Sequence, residues 1–288
     1  PPSNGFTTLR ENAGEVINRG FDIRTSYTIL QNVKERSFLT VNLNISRNKN
    51  KLAKLSDAMN VYNESQNASV SGTAPAQLYY DGVSMNAIWA VRSLGIDPHN
   101  GREIYLSSRG LPTYNWSAAD QVVLGDEMPK FQGTGGISFE WKGIGGNASF
   151  TFQYGAQMYN TTLVQKVENA NLSDNVDARL FDGVWRPGEG GVKPYRAPRY
   201  RDPSTGNWVT PETKPTSRFV QDRNEFALTN LSLYYDFYRY EFLKRCGMER
   251  LRVSAYANNL FTISSIEIER GTSYPFARSF NFSLSVTF

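Results

Sequence analysis

FARSFNFSLSVTF, residues 276–288, decides the class of fold. Its even positions, Phe276, Phe280, Phe282, Leu284, Val286 and Phe288, are apolar apart from Arg278, and its odd positions, Ala277, Ser279, Asn281, Ser283, Ser285 and Thr287, are small and mostly polar. Side chains alternate between the two faces of an extended strand, so this stretch is a strand with one greasy face and one small polar face. The same pattern recurs upstream. Phe21, Ile23, Tyr27 and Ile29 alternate with Asp22, Arg24, Ser26 and Thr28, and Leu39, Val41, Leu43 and Ile45 with Thr40, Asn42, Asn44 and Ser46. Further strands are expected around Ile137, Phe139 and Trp141, around Phe150, Phe152 and Tyr154, and around Leu231, Leu233, Tyr235 and Phe237, with a weaker one at 251–257. The pattern predicts about seven long strands and no amphipathic helix.

A soluble β-sandwich produces the same alternation with its apolar face turned inward. Three features favour a transmembrane antiparallel up-and-down β-barrel instead. The polar positions are rich in Asn, Ser and Thr, as a watery lumen requires. Aromatic residues cluster at strand ends, as at Tyr234, Tyr235, Phe237, Tyr238 and Tyr240, where a membrane interface would hold them. The connections alternate between short links, at 31–37, 143–147 and 238–250, and the long segments 49–130 and 160–224, matching the periplasmic turns and extracellular loops of outer-membrane barrels. With the last strand ending in the periplasm, seven strands place Pro1 on the outer side. A single-chain bacterial barrel has an even number of strands, and an open set would leave unpaired edges in lipid. The 288 residues are therefore expected to be the C-terminal part of a larger barrel.

Composition agrees. A mean hydropathy of -0.47, with no apolar run long enough for a membrane helix, is compatible with a barrel, because only alternate strand residues meet lipid. One Cys and one His leave no disulfide framework or Cys-based zinc site, and no Ser, His and acid constellation for a hydrolase. The net charge of +4 is dispersed along the chain and does not point to nucleic acid. No enzymatic activity, metal or cofactor is expected.

Seven motifs in chain order carry a family likeness: NRGFDI (18–23), GIDPHNGREIYL (95–106), VVLGDEMPKFQGTGG (122–136), FQYGAQMYN (152–160), SRFVQDRNEFALTNLSLYYDF (217–237), LRVSAYANNLFTIS (251–264) and YPFARSFNFSLSVTF (274–288). Together they resemble the C-terminal third of SusC-like TonB-dependent outer-membrane transporters of Bacteroidota, the RagA/SusC family. VWRPGEGG (184–191) and the loop after Asn259 to Thr262 depart from the family pattern, both in external regions. The resemblance implies a 22-stranded barrel in the outer membrane of a Gram-negative cell. It implies active import of oligosaccharides or peptides, with a plug, further strands and a TonB contact supplied by N-terminal parts outside this sequence. A SusD-like surface lipoprotein is the implied lid, and lipid the surroundings. A structural subunit of a larger outer-membrane assembly, and a siderophore or haem receptor, are the alternative functions.

Candidate residues follow from the face they occupy. Phe288, with Phe282 and Phe280, is implied by the resemblance as the signal read by the barrel-assembly machinery, while also anchoring in lipid. Asp22, Arg24, Glu140, Lys142 and Arg252 fall on polar faces, where they would touch the plug, line a path or meet water. The loop aromatics Trp89, Trp116, Trp185, Tyr195 and Trp208 suit contact with a ligand or the lid, although a loop of this size also needs aromatics to pack. Arg196, Arg199 and Arg201 could meet an anion or simply water. Asp174, Asn175, Asp177 and Asp182 lack the spacing of an EF-hand and read as an Asp-rich turn. His99 reads as a turn residue, and Cys246 lies in a short link.

Overall fold

The computed structural model describes residues 12–68, 72–174, 176–202, 205–238, 240–268 and 277–288; Pro1, Asn175 and Phe276 lie outside them. Seven long strands form one sheet in chain order, each hydrogen-bonded to the next: β1 (Glu15–Asn32), β2 (Ser37–Ala53), β3 (Phe131–Trp141), β4 (Ile144–Tyr159), β5 (Val220–Phe237), β6 (Arg250–Ser264) and β7 (Ser279–Thr287). These are the seven strands that the alternation predicts, several of them longer than the alternating core. The β3–β4 hairpin is tighter than expected. Lys142, with φ 49°, and Gly143, with φ 96°, make the whole turn, and the residues after Gly143 already belong to β4. No helix among the described residues is long and apolar enough to cross a membrane.

Register explains why the alternation runs so cleanly. Directly opposed residues on antiparallel neighbours share a face. Thr40 opposes Ser138, Ser138 opposes Asn147, and Thr134 opposes Thr151. Farther along, Tyr234 opposes Ser254, and Ser254 opposes Ser283. The intervening rows are apolar: Leu39 opposes Phe139, Leu233 opposes Ala255, and Ala255 opposes Phe282. One irregularity, between Leu228 and Asn230, is matched on β6 by Asn259 at φ 54°, and the rows resume in phase beyond it. On the apolar face Phe150 and Phe152 lie over Gly135 and Gly133, their cross-strand partners, whose missing side chains make room for the rings.

The chain divides into two compact units. The sheet unit comprises Gly20–Asn48, Pro129–Ala156 and Asp222–Phe288. The loop unit is built chiefly from Lys49–Met128 and Gln157–Gln221 and has its own core, in which Ile88, Tyr159, Leu163, Val164, Val167, Leu180, Val184 and Phe219 cluster. Short antiparallel pieces frame that core: Ala87–Val91 pairs with Gln121–Asp126, and Glu103–Leu106 pairs with both Ser93–Ile96 and Pro112–Thr113.

The loop unit also holds a helix that the sequence pattern misses, α1 (Asp57–Ala68). Its apolar residues do not form a stripe, and the one residue it buries is Asn63. The Asn63 amide donates to the Tyr79 carbonyl at 2.5 Å and accepts from the Tyr79 N–H at 3.0 Å. A helix docked through an amide carries no hydrophobic period. Another short helix, α2 (Glu241–Arg245), lies in the 238–250 link, where a turn or modest loop is expected.

Candidate functional site

The polar face of the sheet is the surface on which the sequence places function. Its middle is lined by neutral amides and hydroxyls. Asn44, Ser46, Gln132, Thr134, Thr151 and Gln153 border a shallow groove of about 380 Å³ that also touches Glu225. Glu225 is held in place, accepting from Gln153 Nε2 at 2.8 Å and from Arg223 at 3.1 Å. The groove has hydrogen-bonding capacity but no nucleophile with an adjacent base.

Charge gathers at the turn end of the same face. Asp236 on β5 is fully buried and accepts from three guanidiniums: Arg252 at 2.7 and 2.8 Å, Arg36 at 3.1 Å, and Arg250. Glu140 on β3 accepts the Tyr234 hydroxyl at 2.8 Å and pairs with Arg36 at 2.9 Å. The Arg252 guanidinium also stacks on the Tyr234 ring, 4.2 Å from its centroid. Of the five charges assigned to this face, the structure therefore joins Glu140 and Arg252 in one network. Asp22 and Arg24 lie apart from it, exposed on β1. Lys142 leaves the face altogether: the strand ends at Trp141, alternation stops at the hairpin, and the Lys142 ammonium sits 5.5 Å over the Trp141 ring. Asp236, Arg36 and Arg250 complete the network without having been singled out. The position of Asp236 opposite Arg252 in the paired register is the signal that finds it.

The loop aromatics divide by burial. Trp185 is 2% exposed; its indole N–H donates to the Pro98 carbonyl at 2.9 Å and its ring covers Gly101, whose φ of 70° forms the turn of the DPHNG segment. Tyr195 packs against the loop core, and the Trp116 N–H donates to the Pro215 carbonyl at 3.2 Å. Trp89 stacks on Tyr80 at 4.9 Å. Trp208 alone of the five is largely exposed, with Arg199 4.7 Å over its ring. The three-arginine stretch divides as well. Arg196 is not solvated but buried, donating to the Thr213 hydroxyl and the Glu212 carbonyl.

Beneath these residues lies a buried ion network that sequence reading did not reach. Arg218 makes a bidentate pair with Glu103, both bonds 2.7 Å, and reaches Glu168 at 2.5 Å; Arg196 lies 3.6 Å from the other Glu168 oxygen. Burial opposes ionisation of Glu168, but Arg218 and then Arg196 prevail and hold its carboxyl below the usual range. Tyr105 beside them is pushed up to about 12, by burial first and by the Glu103 charge second. In the DPHNG turn the Tyr114 hydroxyl and then the His99 N–H hold Asp97 below the usual carboxylate range, and His99 serves there as a turn residue. Asp177 pairs with Arg179 at 2.6 Å, and among the described residues no cluster of three His, Cys, Asp or Glu side chains could hold a metal ion.

No family model matches the chain. Two TonB-dependent receptors of Formosa agariphila, P3 and P39, are 26% and 22% identical to it over 281 and 318 residues, matching 92% and 93% of its length. The chain is thus similar in sequence to TonB-dependent receptors. It spans about a quarter of these relatives, 26% and 28% of their lengths. The RagAB peptide transporter has the same fold over 92% of this chain and 27% of its own, with a TM-score of 0.68 at 20% identity. The RagAB peptide importer in its closed-closed state gives 0.67. The resemblance to SusC-like TonB-dependent transporters, read from seven motifs, thus holds, and the antiparallel strands match a portion of the RagAB fold.

Proposed function

We propose that this chain is the C-terminal wall, with two external loops, of a transporter that imports oligosaccharides or peptides across the outer membrane of a Gram-negative cell using energy delivered through TonB. The observation that carries the reading is the phase of the sheet: polar rows stay with polar rows, and apolar with apolar, from β2 to β4 and from β5 to β7, through two hairpins and a bulge. Such a surface suits water on one side and lipid on the other. The apolar face supports this too, since Phe282 and Phe288 are more than four-fifths exposed and none of the described residues covers them.

In this reading β1 and β7, the two edges of the sheet, pair with further strands of a larger barrel, because open edges are not tolerated in hydrocarbon. The loop segments 49–130 and 160–224 lie outside the cell and meet a SusD-like lipoprotein lid. The polar face, with Asp22, Arg24 and the Glu140–Arg252 network, meets the plug and the passing solute. Transport is gated binding and release, with no covalent step. Peptide as cargo draws support from the likeness in fold to RagAB, a peptide transporter.

The test is to tag the full-length transporter at its locus and follow its fractionation, its copurifying proteins and the uptake of labelled peptides and oligosaccharides by a deletion strain. The expected result is an outer-membrane protein with a lipoprotein partner, and loss of uptake of one solute class, restored by the intact gene but not in a strain lacking TonB. Recovery as a water-soluble protein, or unchanged uptake of both solute classes, would overturn the proposal.

A further inference from the structure

The turn end of the apolar face sets a cluster of aromatic rings beside basic side chains. Four rings gather there. Phe237 meets Tyr235 edge-on at 4.5 Å, Tyr240 at 5.7 Å and Phe242 at 6.0 Å, and the hydroxyls of Tyr235 and Tyr240 lie 2.5 Å apart. Tyr235 and Phe237 project from the apolar rows of β5, whereas Tyr240 and Phe242 come from the link that α2 occupies. Leu243 anchors α2 by being buried, which leaves Lys244 and Arg245 exposed in its last turn.

The neighbouring hairpin adds to this cluster. The Gly143 carbonyl accepts the Asp236 N–H at 2.8 Å, so the β3–β4 turn abuts the end of β5 and brings the exposed Trp141 with its stacked Lys142 alongside. In these two turns, among the described residues, Lys142, Lys244 and Arg245 stand against two carboxylates, Glu241, which lies 3.8 Å from Arg245, and Glu249. Aromatic rings with polar tips settle where hydrocarbon gives way to headgroups, and long basic side chains reach from that level to phosphate.

We propose that this turn end binds an anionic phospholipid of the leaflet it borders, with acyl chains against Tyr235, Phe237 and Phe242 and the headgroup phosphate on Lys244 and Arg245. Continuity with the apolar face and the excess of cations select this occupant over a zwitterionic lipid, which would gain little from the charges. The inference rests on the outer-membrane reading above.

The experiment uses the full transporter, purified in mild detergent and moved into nanodiscs of phosphatidylethanolamine with a minority of phosphatidylglycerol; bound lipid is then read by native mass spectrometry. The parent should retain phosphatidylglycerol above its share in the bilayer. Lys244→Glu/Arg245→Glu should reduce that retention by about tenfold, and Lys244→Gln/Arg245→Gln should reduce it less. The same charge change in the loop unit, Arg109→Glu/Arg186→Glu, should leave it unchanged. Equal phosphatidylglycerol retention in the parent and both Lys244/Arg245 variants, each giving the folded band on an unheated gel, would overturn the inference while leaving the membrane reading intact. A parent that fails to enter the nanodiscs would overturn both.

Discussion

Arg218 shows how one side chain organises the loop unit. Its guanidinium spans Glu103 and Glu168, which sit 115 and 50 residues before it in the chain, and both carboxylates are fully buried. Replacing it with Ala would strand two carboxylates in the protein interior. Removing one partner of a buried pair costs about 3–5 kcal/mol, so Arg218→Ala should make segments 49–128 and 157–221 sensitive to protease at a temperature where the parent resists, with cleavage sites mapped by mass spectrometry. An unchanged cleavage pattern would show that the network contributes little. The network also sets a pH limit. The Glu168 carboxyl titrates below its unfolded value, so its stabilisation is present above the ordinary glutamate range and is lost as pH falls through the depressed folded value. Protease resistance should stay flat from neutral pH down to about 5 and fall only below about 4. A decline already at pH 6 would implicate some other group.

Each strand displays its two faces independently, and a paired substitution on β7 separates them. Leu284 lies in an apolar row with Val253, and Ser283 in a polar row with Ser254. An arginine facing the middle of a bilayer costs about 2–4 kcal/mol, and one facing water costs little. Leu284→Arg should therefore lower the urea midpoint of the full transporter in lipid vesicles, and Ser283→Arg should leave it near the parent value. Equal effects would mean that the two faces meet the same solvent. The short elements were harder to foresee. Helix α1 docks through Asn63, and α2 is held by Leu243 and aromatic contacts, so neither offers the 3.6-residue period by which a helix is recognised.

At the level of the whole molecule, the terminal Phe288 is 82% exposed beyond the last strand and makes no core. If it serves assembly, Phe288→Ala should cut the transporter recovered in the outer-membrane fraction several-fold on an immunoblot, and Arg278→Ala, at the opposite end of β7, should not. Equal recovery of the two variants would leave Phe288 as a lipid anchor only.

Alternation of small polar and large apolar residues was enough to locate all seven strands, their antiparallel sequence and the sorting of Glu140 and Arg252 onto the polar face, because in an extended chain the face of a side chain depends only on whether its position is odd or even. Whether Lys142 lay on that face depended on where the hairpin turned, a question of backbone geometry rather than pattern. The gathering of Arg36, Arg250 and Arg252 around Asp236, and of Arg196 and Arg218 around Glu168, was decided by the tertiary structure alone. Charges far apart in the chain leave no local spacing to read, and they become partners only when pairing and packing bring them within reach of one another while excluding water.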